Sequence, residues 1–154
     1  MPDAHLLYLG NGRTFQSVAK LDDRFEGWGL TVNRFWAFDG QFPDTLDVFD
    51  GIFISGSPHG AYEDIPFIKR EHDLIQDAAE RGIPMLGICF GSQILASALC
   101  GRDQVYRRAH CEIGYKSCRT DSGRVVAAAR LLIFIRAVSS RDSGWAVSQL
   151  ASDD

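Results

Sequence analysis

The sequence predicts a doubly wound α/β fold, in which a mainly parallel β-sheet carries helices on both faces. Three observations support this prediction. Short apolar runs typical of buried strands alternate with longer segments of helical periodicity. Glycine or proline stands between most of these segments, as expected where strands and helices end. The length of 154 residues suits one domain with a well-buried core. Together these features favour a fold built from alternating strands and helices.

The first elements follow the order strand, helix, strand. Residues 5–9 form a short apolar run that ends at a glycine-containing turn, 10–12, and are predicted as a strand. Apolar side chains then recur at helical spacing over 15–25, which predicts an amphipathic helix. Residues 31–38 form a second β-rich run. The chain therefore opens with a β-α-β unit.

The next elements continue this alternation. Residues 48–55 are apolar enough for a strand that is buried on both faces, and a flexible loop follows at 56–60. Asp64 is predicted to cap a helix that has Pro66 in its first turn. The apolar side chains of this helix repeat with the helical period until Gly82 ends it.

A further buried strand, at 84–89, and a buried helix, at 92–100, complete the predicted alternation. The sequence changes character from about Lys116. This tail holds seven of the twelve serines and contains no proline. Its apolar run at 125–138 is interrupted by arginines and fits either a helix or a strand.

Composition and charge exclude several classes of function. Lysine and arginine number 16 against 20 acidic residues, so a nucleic-acid partner is not expected. No uncharged apolar run approaches the roughly 18 residues that span a membrane, and the first residues do not resemble a secretion signal. We therefore expect no membrane partner and a cytoplasmic location, where the four cysteines would stay reduced.

One motif is typical of nucleophilic catalysis. Residues 87–91 are Gly-Ile-Cys-Phe-Gly, at the predicted junction of strand and helix, which is the arrangement of a nucleophile elbow with cysteine in place of serine. A sharp turn there lifts the side chain of Cys89 above the sheet, and the glycines leave room for neighbouring backbone. The amino end of the following helix favours the thiolate. Cys89 is therefore predicted to be a nucleophile.

The other cysteines, Cys100, Cys111 and Cys118, lack this pattern of glycines. They are interpreted as small buried hydrophobic side chains or as exposed thiols, and a buried inert thiol is the alternative for Cys89 as well. Neither a Cys-x-x-Cys nor a His-x-x-x-His pattern occurs in the sequence. No metal site is therefore predicted, and no cofactor is implied.

Three blocks of sequence resemble one known family, in the same order. Residues 87–96, GICFGSQILA, resemble the nucleophile motif of class I glutamine amidotransferases, the glutaminase domains that release ammonia from glutamine. Residues 50–58 resemble the strand and oxyanion loop of that family, and residues 112–115 resemble a segment that follows the elbow helix. The resemblance covers roughly residues 5–115 and implies a flavodoxin-like, doubly wound fold.

The resemblance also implies roles for individual residues. Cys89 would attack the carboxamide carbon of glutamine and form a glutamyl thioester. The backbone N–H groups of Phe90 and of Gly56 or Ser57 would form an oxyanion hole, which stabilises the charge that develops on oxygen. Gln93 would line the glutamine pocket. The alternatives are that the loop is a simple surface turn and that Gln93 only satisfies backbone groups.

The general base of the family is not found. The family supplies a histidine oriented by a glutamate, in a His-x-Glu motif well downstream of the cysteine. Here the last histidine is His110 and the last glutamate is Glu112. His59 and His110 are candidates for a substitute base, but neither has an evident orienting carboxylate in the geometry of the family. We therefore expect impaired activity.

The resemblance divides the chain in two. Residues 1–115 are interpreted as the N-terminal part of a class I glutamine amidotransferase-like domain, which makes the predicted fold incomplete at its C-terminal end. Residues 116–154 are interpreted as a tail outside the family, produced by a change of reading frame or by truncation. The composition of the tail motivates this hypothesis, because its serine and arginine content differs from that of the preceding residues.

The leading functional hypothesis is a glutamine amidotransferase-like protein with impaired glutaminase activity. In an intact relative, ammonia would pass to a synthetase domain or to a separate subunit that holds the acceptor. Two alternatives remain: a non-catalytic protein that binds glutamine for regulation, and another cysteine hydrolase of flavodoxin-like fold. Gln93 and the loop at 55–58 favour the amidotransferase over the other hydrolases.

Overall fold

The computed structural model describes residues 4–12, 18–107, 116–119, 125–128 and 132–135. The strands in these ranges are β1 (Ala4–Gly10), β2 (Leu30–Trp36), β3 (Gly51–Ile54), β4 (Met85–Ile88), β5 (Lys116–Arg119), β6 (Val125–Ala128) and β7 (Leu132–Ile135). The α-helices are α1 (Val18–Gly27), α2 (Pro66–Glu80) and α3 (Phe90–Cys100). Short 3-10 helices follow β2 and α3, at Ala37–Asp39 and Arg102–Gln104.

The main sheet has the strand order β2-β1-β3-β4-β7. Its first four strands are mutually parallel, and β7 pairs with β4 in the antiparallel sense. β5 and β6 form a separate two-stranded antiparallel sheet. The prediction of a mainly parallel sheet is confirmed, and the apolar run at 125–138, which fitted either a helix or a strand, contains the strands β6 and β7.

The two faces of the main sheet carry different helices, because successive side chains of a strand point to opposite faces. The larger core cluster joins one face to α2 and α3, and its fully buried members include Leu7, Leu9, Ile54, Ile68, Ile75, Ile94 and Leu95. A smaller cluster on the other face joins Tyr8 and Phe53 to Phe25 of α1. The ring centroids of Phe25 and Phe53 are 5.1 Å apart. The prediction of helices on both faces is confirmed.

Helix α2 begins without the cap that the sequence predicts. Asp64 is not its N-cap; Ile65 occupies that position with φ −110° and ψ 139°, and no side chain caps the helix. Pro66 is the first helical residue. Proline has no N–H to leave unpaired in the first turn, and its fixed φ suits a helix. The helix can therefore start without a side-chain cap.

The other boundaries agree with the sequence to within a few residues. The runs at 5–9, 31–38, 48–55 and 84–89 correspond to β1, β2, β3 and β4. Helix α3 starts two residues earlier than predicted, immediately after Cys89. The first predicted helix corresponds to α1, and the part of it at 15–17 lies outside the described residues.

Candidate active site

Cys89 links β4 to α3 in a strained backbone conformation. Its φ is 56° and its ψ is −113°, and it is the one non-glycine residue with a positive φ in the described part of the chain. A side chain held in this region destabilises the fold by about 1–3 kcal/mol, so the surrounding structure must impose the conformation. The junction therefore has the strained turn that the elbow pattern predicts.

Two glycines create the space for this turn. A Cβ atom added to Gly91 would lie 2.2 Å from the carbonyl oxygen of Ile54, at the end of β3. A Cβ atom added to Gly87 would lie 2.4 Å from the carbonyl carbon and oxygen of Gly91. Since both clashes involve backbone, neither can be relieved by moving a flexible side chain. The glycines thus allow the first turn of α3 to pack directly against β3 and β4.

The backbone of Cys89 is fixed by α3. Its carbonyl oxygen accepts hydrogen bonds from the N–H groups of Ser92 and Gln93, at 3.0 and 3.2 Å. The hydroxyl of Ser92 donates to the same oxygen at 2.6 Å. The Cys89 thiol is half-buried, and within the described residues no hydrogen bond reaches it. Cys100, at the other end of α3, is exposed.

The predicted oxyanion loop lies beside the elbow. Ile54 of β3 pairs with Gly87 of β4 in a parallel register. Gly56 and Cys89 each lie two residues after this pair, just beyond the ends of β3 and β4. Neighbouring strands are about 4.8 Å apart. The N–H groups of Gly56, Ser57 and Phe90 form no hydrogen bond with any residue that the structure describes. The three predicted donors are therefore not used by the secondary structure.

The other candidate side chains are placed as follows. Gln93 lies one helical turn after the elbow and is exposed. His59, in the loop after Ser57, lies with its Nδ1 atom 3.2 Å from Oε2 of Glu63. The same carboxylate accepts the Gly60 N–H at 2.6 Å. The Gly60 N–H and then His59 lower the pKa of Glu63.

Glu63 places a carboxylate beside His59, although not in the His-x-Glu geometry of the family. The partner lies four residues along the chain in the same loop region, a spacing that differs from His-x-Glu. The His59 ring packs edge-on against Phe67, with centroids 5.8 Å apart, and Phe67 lies 6.2 Å from the ring of Phe90. His110, Cys111 and Glu112 lie outside the described residues.

The sequence did not indicate a buried polar chain that is formed by Glu71, Asn11 and Ser55. These side chains are 0, 0 and 6% exposed. Burial raises the pKa of Glu71 to about 8, and the hydrogen bond from Asn11 acts in the opposite direction. The available signal was the helical period, which puts Glu71 on the same stripe of α2 as Phe67 and Ile75.

Neither a metal cluster nor a membrane-spanning helix is found in the described ranges. No group of three or more His, Cys, Asp or Glu side chains could hold a metal ion there. No helix in that part of the chain is both long enough and apolar enough to cross a membrane.

Comparison with known proteins finds γ-glutamyl peptidases and GMP synthases among the relatives of this chain. γ-Glutamyl peptidase 4 of Arabidopsis thaliana is 37% identical over 87 residues, which cover 55% of this chain and 33% of that protein. γ-Glutamyl peptidase 3 of the same plant is 39% identical over the same lengths. The glutamine-hydrolysing GMP synthase of Leifsonia xyli is 37% identical over 73 residues, which are 47% of this chain and 13% of the synthase. The matches thus span a third or less of these relatives.

Solved structures share the fold. A glutamine amidotransferase from Thermotoga maritima superposes with a TM-score of 0.67 at 23% identity, over 97% of this chain and 64% of the other. A glutamine amidotransferase from Methylobacillus flagellatus gives a TM-score of 0.57 at 25% identity, over 77% and 46%. The prediction of a flavodoxin-like, doubly wound fold is confirmed.

The family model for class-I glutamine amidotransferases matches residues 15–140. This match covers most of the chain and includes the proposed oxyanion loop, the elbow and α3. It continues past residue 115, where the three resembling blocks of sequence end. The chain therefore belongs to the class-I glutamine amidotransferase family.

Proposed function

We propose that this chain carries the nucleophile half of a glutaminase site, in which Cys89 attacks the γ-carboxamide carbon of glutamine. The observation that carries the proposal is the positive φ of Cys89 at the junction of β4 and α3. Such a conformation lowers stability, and it is typical of a nucleophile that is held above the sheet on a sharp turn. Membership of the family supports the same assignment.

The proposed chemistry proceeds through a thioester. The sulfur of Cys89 bonds to the carboxamide carbon, the carbon–nitrogen bond breaks, and ammonia leaves after its nitrogen gains a proton. The N–H groups of Phe90 and of Gly56 or Ser57 would stabilise the negative charge on the oxygen. Water then releases glutamate and restores the thiol. Gln93 is proposed to line the glutamine pocket from the first turns of α3.

Turnover is proposed to be impaired, because proton transfer lacks its usual residues. The sequence contains no histidine after position 110 and no glutamate after position 112. The His59–Glu63 pair is the candidate for a substitute among the described residues, since a carboxylate orients its imidazole. Without a proton for the leaving nitrogen, the step that releases ammonia would be slow.

The similarity to γ-glutamyl peptidases favours a second candidate, hydrolysis of a γ-glutamyl peptide. A γ-glutamyl peptide and glutamine present the same carbonyl group to the nucleophile and differ in the nitrogen that leaves. The thioester and the oxyanion hole would therefore serve both substrates. Regulation by bound glutamine without turnover is the alternative that needs no general base.

The similarity to GMP synthases favours a partner that uses ammonia. The relative in Leifsonia xyli is described as glutamine-hydrolysing and is much longer than the matched segment. We propose that an intact relative of this chain would deliver ammonia to a synthetase domain or subunit. The acceptor would lie on that partner, because the residues assigned here act on glutamine alone.

An activated ester tests the nucleophile independently of the general base. The γ-(p-nitrophenyl) ester of glutamate has a leaving group that departs as an anion and needs no proton. We expect the protein to release about one equivalent of p-nitrophenolate in a burst, measured by absorbance, as Cys89 becomes acylated. The burst should persist in Cys100→Ala and vanish in Cys89→Ala. A burst of equal size in Cys89→Ala would contradict the proposal.

The release of ammonia from glutamine tests whether turnover is impaired. We expect the wild-type protein and Cys89→Ala to release ammonia at the same background rate, measured with a coupled assay. Ammonia release that requires Cys89 would show that another base serves, and loss of that release in His59→Ala would identify His59. A rise in melting temperature with glutamine, in the absence of turnover, would support the regulatory alternative.

A further inference from the structure

The buried polar chain connects α2 to the proposed oxyanion loop. The side-chain amide of Asn11 donates from Nδ2 to Oε1 of Glu71 at 2.9 Å. The backbone N–H of Asn11 donates to Oγ of Ser55 at 2.8 Å. The hydroxyl of Ser55 in turn donates to the carbonyl oxygen of Gly56 at 3.2 Å. Three elements, α2, the end of β1 and the end of β3, are therefore joined by consecutive hydrogen bonds.

The last bond of this chain determines the orientation of one peptide plane. The carbonyl of Gly56 and the N–H of Ser57 belong to the same planar peptide unit and point in opposite directions. When the Ser55 hydroxyl holds the carbonyl oxygen, it also fixes the direction of the Ser57 N–H. This N–H is one of the proposed oxyanion donors and has no hydrogen-bond partner among the described residues.

We propose that Glu71, Asn11 and Ser55 are positioning residues, which hold the Gly56–Ser57 peptide so that the Ser57 N–H points at the oxyanion of the Cys89 reaction. The inference rests on the proposed function and names a donor that the family resemblance left open between Gly56 and Ser57. The three side chains act on this N–H through the backbone of the loop, because the last hydrogen bond ends at the Gly56 carbonyl. Their burial, at 6% exposure or less, keeps water from competing for these hydrogen bonds.

The state of Glu71 fits this role. Oε2 of Glu71 and Oδ1 of Asn11 are buried acceptors without a partner among the described residues. Neither oxygen has a hydrogen-bond donor beside it among these residues. A proton on Oε2 would convert that oxygen from an acceptor into a donor. Glutamine has the shape of protonated glutamic acid and also offers one donor and one acceptor group. Glu71→Gln should therefore keep the buried polar chain, whereas Glu71→Leu should break it.

The rate of Cys89 acylation tests the inference. The carbonyl oxygen of a p-nitrophenyl ester gains negative charge during acylation, whereas alkylation by iodoacetamide displaces iodide without a tetrahedral intermediate. We expect Ser55→Ala to slow acylation by the γ-glutamyl ester at least about tenfold, because losing an oxyanion donor costs about 10²–10³ in rate and misorientation costs less. The iodoacetamide rate should change less than about twofold, because this displacement develops no negative charge on a carbonyl oxygen for the Ser57 N–H to stabilise.

Matched variants separate positioning from general damage. Ser97 is also a buried serine, 2% exposed, but it lies on α3 and its hydroxyl has no partner among the described residues. Ser97→Ala should leave both rates unchanged. Glu71→Leu should slow acylation as Ser55→Ala does, and Glu71→Gln should retain the wild-type rate. Unchanged acylation in Ser55→Ala, or an equal loss with both reagents, would overturn the inference.

A second ester distinguishes this inference from the proposed function. p-Nitrophenyl acetate acylates through the same oxyanion but has no glutamyl group. If the wild-type protein does not prefer the γ-glutamyl ester to the acetate, the proposal of a glutamine site is wrong. The effect of Ser55→Ala on the rate of acylation by the acetate then still tests the positioning of the Ser57 N–H. If the preference is present and Ser55→Ala has no effect, only the positioning is wrong. Absence of Cys89 acylation by either ester would overturn both.

Discussion

Replacing Gly91 with alanine is expected to lower the free energy of unfolding by about 3 kcal/mol, the upper part of the usual range for overpacking. The new Cβ would lie 2.2 Å from the carbonyl oxygen of Ile54 and 2.9 Å from its carbon, so α3 must move away from β3. Because α3 begins at the elbow, the same movement should displace Cys89 and remove the acylation burst. Urea unfolding monitored by circular dichroism measures the stability.

Gly27 provides the control for this substitution. It is the last residue of α1, and a Cβ atom added there would meet nothing within 4 Å. Gly27→Ala should leave stability unchanged or raise it by up to about 1 kcal/mol, because alanine is the better helix former. Intrinsic helix propensity would favour alanine at position 91 as well. A Gly91→Ala variant as stable as Gly27→Ala would therefore contradict the close packing of α3 on β3.

Stability is expected to fall as pH rises from about 4.5 to about 8, because of Glu71. Burial raises its pKa in the folded protein to about 8, against the ordinary value of 4.5 for a glutamate. Between these values the folded state keeps a proton that the unfolded state releases, so raising the pH favours unfolding. The full contribution of this one group is about 5 kcal/mol, and it levels off above the folded pKa.

Glu71→Gln isolates this contribution. His72, the next residue on α2, acts in the opposite direction at acidic pH, because burial, followed by the charge of Arg102, lowers its pKa. The difference between the wild-type and Glu71→Gln stability curves removes the effect of His72. We expect the variant to gain stability relative to the wild type as the pH rises from 5 to 8. A constant difference across this range would mean that Glu71 is not protonated in the folded state.

The order of the elements was predictable because each depends on local pattern. The apolar residues of β1, β3 and β4, and the helical period of α2 and α3, identify strands and helices without knowledge of their neighbours. The elbow was predictable for the same reason, since Gly87, Cys89 and Gly91 lie within five consecutive residues. A short motif of this kind carries its own geometric requirement.

The buried polar chain was not predictable in the same way. Asn11 and Glu71 are 60 residues apart, and Asn11 and Ser55 are 44 residues apart, so the pairs form only when the sheet and α2 assemble. The helical period could place Glu71 on the buried stripe but could not name its partner. The same limit applies to Glu63, which was not linked to His59 although it lies four residues away. Its role depends on the conformation of the loop.

The measurement that tests the central claim most directly is a map of thiol labelling by a chloromethyl ketone analogue of glutamine. The thiolate displaces chloride from this reagent, and the protein supplies its own reference in Cys100, an exposed thiol at the far end of α3. Mass spectrometry of the digested protein reports each cysteine separately. We predict label on half-buried Cys89 before Cys100, and slower labelling of Cys89 when glutamine is present. Equal or faster labelling of Cys100, with no protection by glutamine, would contradict a glutamine-directed nucleophile at Cys89.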